Sequence, residues 1–90
     1  MSTKVQIIRA EAVGEVRKDS ASGRFGFDIR YTLADGRTVR TGDYRRLKKD
    51  AAKSFERYPL NVLELADTRA IFVNAVFVGI EQRSHIGAGS

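Results

Sequence analysis

The chain has 90 residues, of which 42% are hydrophobic and 30% are charged, and its formal net charge is +5. This length suits one compact domain with one modest hydrophobic core. The chain contains no cysteine, which excludes disulfides, thiolate nucleophiles and cysteine-based zinc sites. The longest apolar run, "AIFVNAVFVGI", is too short to span a bilayer, and the N-terminal stretch lacks a signal-peptide pattern. We therefore expect a single globular domain over residues 1–90, cytoplasmic and not bound to a membrane.

The net charge is concentrated in one segment of the chain. Residues 37–57 hold eight basic and three acidic side chains, and this excess of five equals the net charge of the whole chain. The remaining residues carry equal numbers of basic and acidic side chains. A localised excess of basic residues favours contact with polyanions. The candidate binding residues in this segment are Arg37, Arg40, Arg45, Arg46, Lys48, Lys49 and Lys53.

The first two predicted elements are antiparallel strands. The segment "RFGFDIRYTL" alternates apolar and polar residues, which is typical of a half-buried strand, and residues 4–18 show a similar alternation of small apolar and charged residues. With residues 18–23 as the loop, Arg17 would lie opposite Arg24. Small residues then meet large ones along one face: Val16 and Phe25, Gly14 and Phe27, Ala12 and Ile29, Ala10 and Tyr31, Ile8 and Leu33.

The third predicted strand follows the turn sequence "ADG", which allows two hairpin registers. A two-residue turn would set Val39 opposite Thr32, whereas a three-residue loop over 34–36, with Gly36 in the left-handed region, sets Val39 opposite Tyr31. Only the second register places Val39 on the apolar face, so we favour it. The same register aligns three charged side chains in one row on the outer face: Glu11, Arg30 and Arg40.

One amphipathic helix is predicted after the third strand, with Thr41 or Asp43 as its N-cap and Pro59 at its end. An apolar stripe at spacings of three and four would pack on the sheet: Tyr44, Leu47, Ala51, Phe55 and Tyr58. The opposite side of this helix would carry Arg45, Lys48, Lys49 and Lys53, with Arg46 and Arg57 on its flanks. Cations in a first turn oppose the helix dipole at a cost of about 0.3–1 kcal/mol, so stability does not explain them. A purely solubilising helix face is the competing interpretation.

The C-terminal third is predicted to form a β-hairpin, with strands over 60–66 and 70–82 and a turn at Asp67-Thr68-Arg69. A buried helix over 63–82 is the alternative. Both faces of residues 71–80 are apolar, which indicates a buried central strand or a surface for homodimer formation. Residues 84–90 are predicted to be a flexible tail. The expected fold class is α+β: a three-stranded antiparallel meander, one helix packed on one sheet face, and a C-terminal hairpin.

Catalytic chemistry is not indicated. His85 is the only histidine and lies in the predicted tail, where no fixed catalytic geometry is expected. Glu11 and Glu15 would lie on an open sheet face among arginines, where a carboxyl pKa is not raised enough for general-acid catalysis. We therefore expect a protein that is not an enzyme and has no metal or cofactor.

Two binding functions are consistent with the sequence. In the first, the basic helix and the hairpin edge contact the phosphate backbone of a nucleic acid. In the second, the same helix docks on an acidic protein or a ribonucleoprotein, as in a regulator or inhibitor of the phage or mobile-element accessory type, with homodimer formation through residues 71–80. The aromatic residues of the sheet are assigned to the core rather than to base stacking.

Overall fold

The computed structural model describes residues 1–82, which form five strands and one helix in the order β-β-β-α-β-β. The elements are β1 (Ser2–Lys18), β2 (Phe25–Leu33), β3 (Thr38–Arg45), α1 (Lys48–Glu56), β4 (Thr68–Val73) and β5 (Val76–Gln82). All neighbouring strands are antiparallel, in the spatial order β3-β2-β1-β4-β5. The predicted α+β class and element order are confirmed. The predicted tail over 84–90, with His85, lies outside the described residues.

The long strand β1 joins the two halves of the sheet. Its first residues, Ser2 to Gln6, pair with β4, and residues from Ile7 onward pair with β2. A register shift lies between Ile7 and Arg9, so both Ile7 and Ala10 are fully buried although they are three residues apart. A bulge of this kind bends a strand and increases its twist. The sheet is consequently curled around one core.

The predicted register of β1 against β2 is correct in its middle and wrong at both ends. Ala10 lies opposite Tyr31 and Ala12 opposite Ile29, as expected. At one end Ile7, not Ile8, lies opposite Leu33 because of the bulge. At the other end a second shift between Val13 and Arg17 removes the predicted pairs of Gly14 with Phe27, Val16 with Phe25 and Arg17 with Arg24. Gly14 has a φ of +74°, a conformation that glycine adopts readily and that permits this irregularity.

The β2–β3 hairpin has the favoured three-residue loop. Val39 lies opposite Tyr31 and Arg30 opposite Arg40, so this prediction is confirmed. Gly36 has a φ of +93°, and its N–H donates to the carbonyl of Leu33 at 3.0 Å.

The predicted start of the helix is wrong. Strand β3 continues through Tyr44 and Arg45, and α1 begins at Lys48, after Leu47 in an extended conformation with no side-chain cap. Neither Thr41 nor Asp43 is an N-cap, because both belong to β3. Of the predicted apolar stripe, Ala51 is buried, and Phe55 and Tyr58 pack against the core. Leu47 is instead 52% exposed, and Tyr44 lies on the sheet.

The core lies between the inner face of the sheet, α1 and the segment that follows the helix. Phe27 is fully buried and makes edge-to-face contacts with Phe55, at 5.1 Å between ring centroids, and with Tyr58, at 5.7 Å. Leu60 forms an isolated bridge with Ala10 on the free edge of β1. The helix therefore packs on the face that carries Phe27.

The C-terminal hairpin is confirmed as an element, but its predicted boundaries are wrong. Residues 61–67 form turns rather than a strand, β4 begins at Thr68, and the tight turn lies at Asn74 and Ala75. Both turn residues have positive φ, 51° and 67°. The alternative buried helix over 63–82 is also wrong. Asn74 is fixed by the chain start, since its N–H donates to the carbonyl of Met1 at 3.0 Å.

Strand β5 lies at one end of the sheet. Val76 and Val78 in it are 62% and 56% exposed. A homodimer through residues 71–80 stays a prediction, which these exposed valines make chemically reasonable. Among residues 1–82, α1 is the only helix, and no helix there has the length and apolarity to cross a membrane.

Phe27 is the residue whose truncation should cost most. We expect Phe27→Ala to lower the free energy of unfolding by about 3–5 kcal/mol, because it removes both edge-to-face contacts and leaves a cavity. Urea denaturation measures this change. If Phe27→Ala does not fold, the same measurement is made on the milder variant Phe27→Leu. The control is Leu63→Ala, at an 83% exposed position, with an expected change within about 0.5 kcal/mol. Equal effects of Phe27→Ala and Leu63→Ala would contradict this packing.

Candidate nucleic-acid interface

The outer face of β1, β2 and β3 carries a set of arginines. We call it the arginine face and define it as Arg9, Arg17, Arg30 and Arg40. The pairings of Arg9 with Thr32, Glu11 with Arg30 and Arg30 with Arg40 place these side chains opposite the core, because alternate strand residues point to alternate faces. The arginine face is the continuation of the row predicted from Glu11, Arg30 and Arg40.

Two carboxylates are shared among these four arginines. Glu11 contacts Arg30 at 2.8 Å and Arg9 at 3.4 Å. Asp28 contacts Arg17 and Arg40, each at 3.5 Å. The hydrogen bond from Arg30 holds the pKa of Glu11 below its usual value, so this carboxyl stays ionised at neutral pH. The arginine face therefore keeps an excess of two positive charges, and all four guanidiniums remain substantially exposed.

Tyr44 lies on the same face as the arginines. Its partner in β2 is Gly26, and a Cβ atom built on Gly26 would come within 2.5 Å of the Tyr44 ring. A Cβ on Gly42 would come within 2.6 Å of the same ring. The ring thus lies flat across two glycines, a close approach that other residue types would block. Arg17 donates a hydrogen bond to the Tyr44 hydroxyl at 3.3 Å.

A second basic surface lies on α1 and on the residue pair that precedes it. We call it the helix cluster and define it as Arg46, Lys48, Lys49 and Lys53. All four side chains are exposed, and within residues 1–82 none of them forms an ion pair or a side-chain hydrogen bond. These cations are therefore not used to hold the fold together.

The remaining two predicted binding residues are engaged by neighbours. Arg37 pairs with Asp35 at 2.8 Å and stacks over the ring of Phe72 at 4.4 Å, at the hairpin end of the sheet. Arg45 pairs with Asp43 at 2.7 Å, and it lies on β3 rather than on the helix, which corrects its predicted position.

The two basic surfaces lie on opposite sides of the sheet. Arg30 and Arg40 are on the outer face, whereas α1 packs on the inner face through Phe27 and Phe55. They approach each other at the end of β3, where three residues lie between Tyr44 and Lys48, so that the two Cα atoms are at most about 14 Å apart. The basic residues of the chain thus form two patches that meet at the end of β3.

Asp43 fixes this margin from the inner side of β3. Its carboxylate accepts hydrogen bonds from Arg45 Nε at 2.7 Å, from Arg45 Nη2 at 3.2 Å and from the buried Ser54 hydroxyl at 2.6 Å. The bonds from Arg45, and next those from Ser54, hold the pKa of Asp43 below its ordinary value against the opposing effect of burial. Asp43 therefore ties the end of β3 to α1.

Sequence reasoning missed three contributors to this interface: Arg9, Arg17 and Tyr44. Tyr44 was assigned to the apolar stripe of the helix, although its spacing from Gly42 and the presence of Gly26 in β2 were the available signals for a ring covering strand glycines. Among the described residues, no group of three or more side chains has the composition of a metal site.

Comparison of the chain with protein-family models, with curated proteins and with solved structures gives no match.

The Asp43 network predicts a pH-dependent contribution to stability. Because the folded-state pKa lies below the ordinary value of 3.8, this contribution is complete above that value and is lost as pH falls through the folded-state pKa. We expect Asp43→Asn to reduce stability at neutral pH and to converge with the parent protein in acid. Urea denaturation between about pH 7 and pH 2.5 measures the difference, and the exposed Glu15→Gln serves as control. A constant difference across this range would contradict the assignment.

Proposed function

We propose that the protein binds nucleic acid, with the phosphate backbone along the arginine face and a base stacked on Tyr44. The arginines supply charge-assisted hydrogen bonds that position phosphates without reading sequence. Four guanidiniums share two carboxylates, so anionic phosphates can add to the existing contacts. The surface is open and follows the strands, which suits an extended ligand.

The observation that carries the proposal is the position of Tyr44. One side of its ring rests on the backbone of Gly26 and Gly42, and the residue remains partly exposed. The other side of the ring is directed away from the sheet. A partly exposed aromatic ring on a basic surface suits the stacking of single-strand bases, which is worth about 1–3 kcal/mol per base. A duplex keeps its bases stacked on each other, so a single strand is the favoured form.

The topology favours the same surface as the ligand-binding face. The chain resembles the open five-stranded barrel of the oligonucleotide- and oligosaccharide-binding fold. The shared features are a β1-β2-β3 meander, a helix between β3 and β4, a β4–β5 hairpin beside β1 and a gap between β3 and β5. In that fold ligands lie on the face formed around strands 2 and 3. Topology alone does not fix function, so the side chains of the arginine face carry the proposal.

The helix cluster extends this surface around the end of β3. Arg46 follows Tyr44 by two residues, and Lys48 and Lys49 begin α1. A strand that leaves Tyr44 in this direction meets cations that have no ion-pair partners among residues 1–82. The basic helix thus adds electrostatic affinity, while the arginine face and Tyr44 define the position of the ligand.

Binding should be measurable with a fluorescently labelled oligothymidylate by anisotropy. We expect affinity to fall with salt, with a log-log slope of about 0.7 per phosphate contact for a single strand. Tyr44→Ala should weaken binding by about tenfold or more, because the stacking surface is lost. Tyr44→Phe keeps the ring and should bind within about twofold of the parent protein.

Two outcomes would contradict this proposal. One is the absence of oligonucleotide binding at low salt. The other is unchanged affinity in a Tyr44→Ala variant whose circular dichroism spectrum and thermal unfolding match those of the parent protein.

A second candidate function is docking on an acidic protein or a ribonucleoprotein, as a regulator or inhibitor of the phage or mobile-element accessory type. The observation that favours it is the helix cluster, whose unpaired cations lie on the side of the sheet away from Tyr44. An acidic protein surface could cover this cluster without touching the arginine face.

The double variant Lys48→Gln/Lys49→Gln separates the two functions. If the helix contacts phosphates, the salt slope for oligothymidylate should decrease by about 1.4, since two contacts of about 0.7 each are lost. That decrease is the result we expect. An unchanged slope would exclude the helix from the nucleic-acid surface. Capture of one protein from nuclease-treated lysate that is lost in the double variant would then support the second function.

A further inference from the structure

A cleft of about 380 Å³ opens between β3 and β5, on the inner side of the curled sheet. Thr41 and Asp43 line it from β3, and Ile80 and Gln82 line it from β5. β3 and β5 are the two edge strands of the sheet, and in the described part of the chain each is hydrogen-bonded to a strand on one side only. The cleft is therefore a gap in the wall of the sheet, separate from the arginine face.

The interior of the cleft combines an apolar floor with hydroxyl groups. Ile29 and Leu65 are buried and supply the floor together with Ile80. Tyr31 and Tyr58 line one side of the cleft with their half-buried side chains. Burial raises the pKa of both tyrosines, so both hydroxyls are protonated at neutral pH. The volume lies within the range of pockets that hold small molecules.

The charged side chains that line the cleft leave one guanidinium, that of Arg57, without an ion-pair partner among residues 1–82. Asp43, the only carboxylate that residues 1–82 contribute to the lining, already accepts three hydrogen bonds from Arg45 and Ser54. Arg57, also in the lining, is exposed, and no carboxylate among residues 1–82 forms a salt bridge or side-chain hydrogen bond with it. A guanidinium has five N–H donors and no acceptor, so a ligand that satisfies Arg57 must supply acceptors.

The charged side chains around the mouth of the cleft also favour an anionic ligand. An adjoining depression shares Arg45 and Arg57 with the cleft and adds Lys53 and Asp50. Together with Asp43, this makes three cations and two carboxylates around the entrance. A planar guanidinium matches the paired oxygens of a carboxylate or phosphate.

We propose that this cleft is a binding site for a small organic anion with a compact apolar body. The anionic group, a carboxylate or a phosphate monoester, contacts Arg57 at the mouth. The apolar body lies against Ile29, Leu65 and Ile80, within reach of the Tyr31 and Tyr58 hydroxyls. This site uses neither Tyr44 nor the arginine face, so it is independent of nucleic-acid binding.

Nitrogen-15 NMR titrations of the full chain with benzoate and with phenyl phosphate test the site, with neutral benzamide as the matched control ligand. We expect saturable shifts of the Thr41, Gly42 and Gln82 amides, with Kd values of about 1–10 mM, as is usual for ligands of this size. Benzamide should bind about tenfold more weakly, because it lacks a charged acceptor. The stronger of the two anions identifies the head group.

Arg57→Gln should weaken anion binding by about tenfold. Arg57→Lys should bind with intermediate affinity, because lysine keeps the charge but cannot donate two parallel hydrogen bonds to the anion. Arg24→Gln removes an equal charge from the exposed β1–β2 loop and should have no effect. Three results would overturn the proposal: no shifts up to about 20 mM ligand, well above the expected Kd; equal binding of benzamide and the anions; or binding that Arg57→Gln leaves unchanged.

Discussion

The packing of Tyr44 across Gly26 and Gly42 is the contact on which the rest of the basic region depends. A side chain at Gly26 would collide with the ring, so the contact requires glycine in β2. It extends the pairing of β3 with β2 to Arg45, which lies opposite Phe25. The helix can then begin only after this pair. One aromatic ring thereby determines where β3 ends and which face of the sheet presents an aromatic surface to solvent.

The bulged strand β1 supplies the second constraint. Its shift beside Ile7 brings Ile7 and Ala10 into the same core, and the irregularity that includes Gly14 changes the register again near Arg17. Because β1 pairs with β4 at one end and with β2 along the rest, its bending carries the β4–β5 hairpin around the core. The ends of the sheet, β3 and β5, then flank a cleft. The curl thus produces two distinct surfaces: an outer one rich in arginine and an inner one with Arg57 at its entrance.

The elements that sequence predicted well are those whose patterns are local. The period-two alternation of β2 and the "ADG" loop determine the meander and the pairing of Arg30 with Arg40. Residues 41–45, by contrast, have no apolar alternation, and their extended conformation depends on a contact between Tyr44 and Gly26, which are 18 residues apart. The helical spacing of Tyr44, Leu47 and Ala51 was therefore misleading.

The C-terminal turn and the proposed binding site are difficult to predict from the sequence for a similar reason. Asn74 is a residue that tolerates positive φ, but Ala75 is not, and the turn is held by hydrogen bonds between Asn74 and Met1 at the other end of the chain. The charge count names Arg40 and the helix cluster, and their role in binding stays a prediction. It did not identify Arg9 and Arg17, which lie outside residues 37–57 and join the site only through strand pairing.

Mapping an oligothymidylate by nitrogen-15 NMR tests the central claim most directly, because it locates the ligand on the folded chain residue by residue. The largest shifts are expected at the amides of Gly26, Gly42 and Tyr44 and along the arginine face, with smaller shifts at the start of α1. Shifts confined to α1, with Gly26, Gly42 and Tyr44 unaffected at saturation, would contradict a stacking site on this face.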